Sequence, residues 1–67
     1  MTITSFQKTE KTASGNYAYI ARERGKHDLR DHWTVAYSYD GIMFQGEKTY
    51  WSYSGAYKAF RQLVDTF

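Results

Sequence analysis

The sequence predicts an α+β fold, a four-stranded antiparallel sheet in the order β-β-β-β-α covered on one face by a single C-terminal helix. The central observation is the alternating run from His32 to Phe44, which predicts a β-hairpin. Two segments of strand character precede it, and the last thirteen residues carry apolar side chains spaced three and four apart. A chain of 67 residues leaves room for one core, so we expect residues 1–67 to form a single domain.

Residues 2–11 are rich in threonine and contain only two large apolar side chains, Ile3 and Phe6. This composition predicts a polar strand at an edge of the sheet, where Lys8 and Lys11 would discourage unwanted pairing with other chains. The small and polar residues at positions 13–16 predict the turn that follows.

Residues 17–24 alternate weakly and predict a second strand, with Ala18 and Ile20 on one face and Tyr17 and Tyr19 on the other. The most polar stretch of the chain, residues 25–31, follows this strand. We interpret it as a solvated loop that leads into the hairpin. A contact loop for a partner is the alternative.

The hairpin is predicted in more detail. Its Asp40-Gly41 dipeptide favours a two-residue type I′ turn, because both central residues of that turn need positive φ. The register then pairs Tyr39 with Ile42 and Tyr37 with Phe44. One face is expected to be apolar and the other mostly polar. The apolar set is Trp33, Val35, Tyr37, Tyr39, Ile42 and Phe44, and the polar set is Thr34, Ala36, Ser38, Met43, Gln45 and Glu47.

After the hairpin, Gly46 indicates a bulge, and strand character continues to Trp51. Ser52 or Ser54 is the expected N-cap of a helix over residues 55–67. The helix is too short to be stable alone, so its apolar stripe should lie on the apolar face of the sheet. That stripe contains Ala56, Ala59, Phe60, Leu63, Val64 and Phe67.

Composition excludes several classes of protein. The chain has no cysteine and therefore no disulfide, and no apolar run approaches the ~20 residues of a membrane span. The N-terminal residues do not resemble a signal peptide. We expect a complete, cytoplasmic chain that does not associate with a membrane.

The sequence also lacks a pattern that points to chemistry. His27 and His32 have no metal-ligand set around them, and the acidic residues are scattered with no pair suited to acid and base roles. We therefore predict no catalytic residue, no metal, no cofactor and no enzymatic activity.

Aromatic side chains make up 19% of the chain, which is more than a core of this size can hide. Exposed tyrosine is enriched at recognition surfaces, although tyrosine is also simply a good strand residue. We predict that a partner is bound by tyrosine anchors with basic residues at their rim. The predicted anchors are Tyr17, Tyr19, Tyr50 and Tyr53, and the rim is Arg22, Arg24, Lys26 and Arg30.

A further pattern spans about half the chain: an aromatic-valine strand, a glycine turn, a returning strand, a Thr/Ser stretch and an alanine-containing helix. The residues that carry it are Trp33, Val35, Gly41, Thr49, Ser54, Ala56, Ala59 and Phe60. This order resembles AP2-like domains, including the N-terminal arm-binding domains of phage integrases. The resemblance implies binding to nucleic acid through the sheet. In those domains basic residues stud the sheet, whereas residues 33–47 here contain none.

Two functions follow as expectations. The first is a small non-enzymatic protein that occupies a surface of a host protein or ribonucleoprotein complex, since its size, balanced charge and tyrosine content are similar to those of phage and mobile-element inhibitors such as anti-CRISPR proteins. The second is an AP2-like or single-strand nucleic-acid-binding module, in which interleaved rings and basic side chains hold the strand. A homodimer formed through the edge strand at residues 2–11 is a third possibility.

Overall fold

The computed structural model describes residues 3–24 and 31–67, and the side chains from residue 6 onward within those ranges. The elements are β1 (Ile3–Lys11), β2 (Tyr17–Arg24), β3 (Asp31–Ser38), β4 (Gln45–Tyr50) and α1 (Tyr53–Thr66). The strands form one antiparallel sheet in the order β1-β2-β3-β4, and α1 packs mainly against β2 and β3. The predicted fold, with one face of the sheet covered by the C-terminal helix, is confirmed.

The core lies between α1 and the middle of the sheet. Phe60 and Ala56 of α1 are fully buried against Ala18, Ile20 and Val35. Half-buried side chains extend this core at both ends, namely Trp33, Tyr50, Leu63 and Val64. The predicted apolar stripe of the helix therefore meets the predicted apolar faces of β2 and β3.

The helix begins two residues earlier than predicted. Ser52 is its N-cap, as one of the two predicted candidates, and its hydroxyl accepts a hydrogen bond from the Gly55 N–H at 3.3 Å. At the other end, the Phe67 N–H donates to the Leu63 carbonyl at 2.8 Å. The described residues contain no helix that is long and apolar enough to cross a membrane.

The turn between β1 and β2 lies where it was predicted and is tied to the end of α1. The Ala13 N–H donates to the Val64 carbonyl at 2.9 Å, and the Asn16 side-chain amide donates to the Phe67 carbonyl at 2.9 Å. These bonds fix the C-terminus of the helix over the sheet. Asp31, which the sequence assigns to the preceding loop, is the first residue of β3, and residues 25–30 of that loop lie outside the described residues.

The connection between β3 and β4 differs from the predicted two-residue turn. Ser38 Oγ accepts hydrogen bonds from the Asp40 and Gly41 N–H groups at 3.2 and 2.8 Å. Asp40 Oδ1 accepts from the Ile42 and Met43 N–H groups at 2.8 and 3.0 Å. Side chains of Ser and Asp compete with the sheet for backbone N–H groups, and here they stabilise a loop over residues 39–44.

This longer loop changes the register. Tyr37 pairs with Gln45, so the predicted pairs Tyr37–Phe44 and Tyr39–Ile42 are wrong. The assignment of Ile42 to the apolar face is also wrong, because its side chain is 81% exposed on the loop. Phe44 lies on the opposite side of the sheet from α1, with its ring centroid 5.3 Å from that of Tyr19.

The bulge predicted at Gly46 is confirmed. Between the pairs Val35–Lys48 and Tyr37–Gln45, β4 contains one residue more than β3. Gly46 has φ +65°, and a Cβ at this position would collide with the Tyr37 ring. Only glycine fits this combination of positive φ and close approach without strain.

Candidate functional site

Aromatic and arginine side chains gather on the helix side of the sheet, beside the first turn of α1. Phe6, Arg22 and Trp33 are cross-strand neighbours on β1, β2 and β3. Tyr53, the first residue of α1, lies with its ring centroid 6.1 Å from that of Trp33. Together these four side chains line a shallow cavity of about 320 Å³. With two adjoining residues they form what we call the aromatic–arginine patch: Phe6, Arg22, Arg24, Trp33, Tyr53 and Tyr57.

The rings of the patch are held by packing. Trp33 rests on the hydrophobic core, and Tyr57 stacks on Tyr53 at a centroid distance of 5.5 Å. Phe6 and Tyr53 are nevertheless 44% and 47% exposed. The patch thus presents large side chains to solvent on a rigid base.

The arginines of the patch are oriented by one carboxylate. Asp31 Oδ2 accepts hydrogen bonds from Arg22 Nε at 3.1 Å and from Arg22 NH2, and Asp31 Oδ1 accepts from Arg24 Nε at 3.2 Å. The hydrogen bonds from Arg22, followed by those from Arg24, hold the pKa of Asp31 below its usual value. Asp31 therefore orients two guanidinium groups whose side chains are 45% and 51% exposed.

The face of the sheet turned away from α1, the open face, has a different character. It contains a groove of about 460 Å³, lined by the Tyr19 and Phe44 rings together with acidic and polar groups. Glu23 accepts a hydrogen bond from the Thr34 hydroxyl and lies 3.6 Å from His32 Nε2. Burial, and then the nearby Glu23 and Glu47 carboxylates, raise the pKa of Tyr19.

The eight residues predicted to bind a partner do not form one surface. Arg22, Arg24 and Tyr53 come together in the aromatic–arginine patch, with Tyr50 beside Trp33 but half-buried against the core. The remaining four lie elsewhere: Tyr17 and Tyr19 are half-buried on the open face, and Lys26 and Arg30 lie outside the described residues. The exposure expected of the tyrosine anchors is therefore found at Tyr53 alone.

Sequence reasoning missed three members of the patch, Phe6, Trp33 and Tyr57. The signal for Phe6 was present, since a large apolar side chain on a polar edge strand needs either a core or a partner. Trp33 was assigned to the core, which is half correct. Ile42 and Met43 were also missed, and at 81% and 74% exposure they form an apolar tip on the β3–β4 loop.

Within the described residues, no three His, Asp or Glu side chains are grouped so that they could hold a metal ion. Comparisons of the chain with protein-family models, with curated proteins and with solved structures found no match.

Proposed function

We propose that this chain is a small non-enzymatic binding protein that occupies a surface of a larger host protein or ribonucleoprotein complex, as phage-encoded anti-CRISPR inhibitors do. The observation that carries the proposal is the aromatic–arginine patch. Trp, Tyr and Arg are the residue types that contribute most to binding energy at protein interfaces. The patch groups these three types around one shallow cavity.

Rigidity of the patch also supports binding to a folded partner. Trp33 is anchored in the core, and both arginines are held by Asp31. Side chains that are already ordered lose little conformational entropy on association. More of the contact energy is therefore retained as affinity.

Charge favours protein over nucleic acid as the partner. The patch arginines share the Asp31 carboxylate. On the same side of the sheet, Glu10 forms ion pairs with Lys8 at 3.2 Å and with Arg61 at 3.4 Å. Phosphate groups would have to displace these acidic partners. The open face, which an AP2-like domain would lay against DNA, carries Glu23 and Glu47 instead of basic residues at its groove.

The test begins with capture of a partner from a nuclease-treated host extract, followed by titration of the purified complex with variants. Tyr53→Ala should weaken binding by about 2 kcal/mol or more, which is roughly 30-fold. The expected cause is loss of a ring whose exposed half is covered by the partner in the complex. Lys58→Ala, an exposed position on α1 outside the patch, is the matched control and should bind normally.

Two results would contradict the proposal. One is a captured partner whose affinity is the same for Tyr53→Ala, Phe6→Ala and the wild type. The other is a complex with duplex or single-stranded DNA that weakens steeply with salt and is lost in Arg22→Gln, since that behaviour identifies a nucleic-acid-binding module.

A further inference from the structure

The groove on the open face has the features of a second binding site, separate from the aromatic–arginine patch. Its floor is made of small side chains on β3, and Ala36 and Thr34 are almost completely buried. The Tyr19 and Phe44 rings, whose centroids are 5.3 Å apart, and the Glu23 and Glu47 side chains line the same groove. Rings and carboxylates thus meet in one concave space.

The β3–β4 loop determines the position of Phe44 in the groove. Phe44 ends the loop that Asp40 and Ser38 hold through their hydrogen bonds, and its ring lies against Tyr19 at 47° between the ring planes. Had the hairpin closed with two residues, Phe44 would face α1. The longer loop therefore places Phe44 in the groove.

Two carboxylates line the same groove, Glu23 in a partly enclosed position and Glu47 in an exposed one. The Glu23 side chain is only 21% exposed and is oriented by the Thr34 hydroxyl. Glu47 comes from the neighbouring edge of the sheet, on β4. The described residues that line the groove include no Lys or Arg, and the basic side chain next to Glu23 is His32, with its Nε2 at 3.6 Å.

We propose that this groove takes an arginine side chain carried by a protein partner. Charge complementarity selects a cation, and the pairing of ring faces with carboxylates selects guanidinium. A guanidinium group is planar, so it stacks on aromatic rings and at the same time donates paired hydrogen bonds to a carboxylate. A lysine ammonium group is compact and more strongly hydrated, and it makes poorer use of the rings.

The experiment is an NMR titration of the intact chain with a blocked pentapeptide, Gly-Gly-Arg-Gly-Gly. The ring signals of Tyr19 and Phe44 and the methyl signal of Ala36 should shift together. The same peptide with citrulline, a neutral isostere of arginine, should leave them in place. Glu47→Gln, at an exposed position on an edge strand, should weaken the arginine peptide about tenfold or more, as expected for loss of a charge-assisted hydrogen bond.

Glu10→Gln is the matched control, since it removes a carboxylate from the helix side of the sheet. It should bind the arginine peptide as the wild type does. The proposal is overturned if the citrulline peptide shifts the same signals equally, or if Glu47→Gln binds the arginine peptide with unchanged affinity. It is also overturned if spermidine binds as well as the peptide, because the groove then recognises any cation.

Discussion

Replacing Gly46 with alanine tests the geometry of the β3–β4 bulge. The left-handed φ of +65° costs an L-residue about 1–2 kcal/mol. The new Cβ also collides with the Tyr37 ring, which is held by the Phe67 ring at a centroid distance of 5.0 Å. Overpacking of this kind costs about 1–3 kcal/mol, so Gly46→Ala should lower the free energy of unfolding by about 2–5 kcal/mol.

Gly15→Ala is the matched control for this effect. Gly15 also has positive φ, +86°, but a Cβ there would meet only Lys11 Cε at 4.0 Å. Gly15→Ala should therefore lower the free energy of unfolding only by the backbone cost of about 1–2 kcal/mol. The free energy of unfolding of both variants is measured by urea denaturation monitored by tryptophan fluorescence. The difference between the two values gives the cost of the collision with Tyr37.

A double-mutant cycle identifies the colliding ring. In a Tyr37→Val background the alanine at position 46 has no ring to displace, so its cost should fall to that of Gly15→Ala. Equal losses for Gly46→Ala and Gly15→Ala in the wild-type background would refute the bulge geometry. An unchanged Gly46→Ala loss in the Tyr37→Val background would refute the role of Tyr37.

Three further substitutions test the rest of the fold. Phe60→Ala should lower the free energy of unfolding by about 3–5 kcal/mol, because Phe60 is fully buried. Tyr57→Ala, on the exposed side of α1, should lower it far less. Thermal melts compare the two variants, and similar losses of stability would contradict the packing of α1. Ser52→Ala should lower it by about 1 kcal/mol through loss of the N-cap, and helical circular dichroism that melts at an unchanged temperature would argue against the cap. The hydrogen bonds from Met43 and Ile42 lower the pKa of Asp40 from 3.8 to about 2, so the fold favours its ionised form. That contribution to stability is present above the unfolded-state pKa and is lost as the pH falls through the folded-state pKa. The stability difference between wild type and Asp40→Ala should therefore shrink between about pH 4 and pH 2. A difference that stays constant over this range would exclude this role of Asp40.

The elements that local pattern alone determines were predicted well. The helix followed from the spacing of apolar residues around Phe60, and β2 and β3 followed from alternation around Ile20 and Val35. The bulge at Gly46 was predicted correctly, because an isolated glycine in a strand often marks a bulge. In each case the signal lies within a few residues of its effect.

The β3–β4 loop was mispredicted because two local signals competed. Asp40-Gly41 is a strong hairpin signal, but Ser38 lies where its hydroxyl can bind the N–H groups of the turn. The side-chain hydrogen bonds stabilise a longer loop, which shifts the register of β4 and places Phe44 on the open face. Sequence reasoning weighed the dipeptide and not the serine before it.

The candidate sites were predicted only in part, because they depend on which faces meet across the sheet. Arg22 and Tyr53 are far apart in the chain and become neighbours only through Trp33. Whether a tyrosine is exposed also depends on the ring next to it, as Tyr19 and Phe44 illustrate. Sequence spacing carries neither kind of information.

The most direct test of the proposed function places a photo-crosslinking amino acid, p-benzoylphenylalanine, at position 53 of the full chain inside host cells. Position 58, on the exposed side of α1, serves as the reference. We expect position 53 to give a defined protein adduct that survives nuclease treatment, with little or none of it from position 58. An adduct to nucleic acid, or equal adducts from the two positions, would contradict a protein interface at the aromatic–arginine patch.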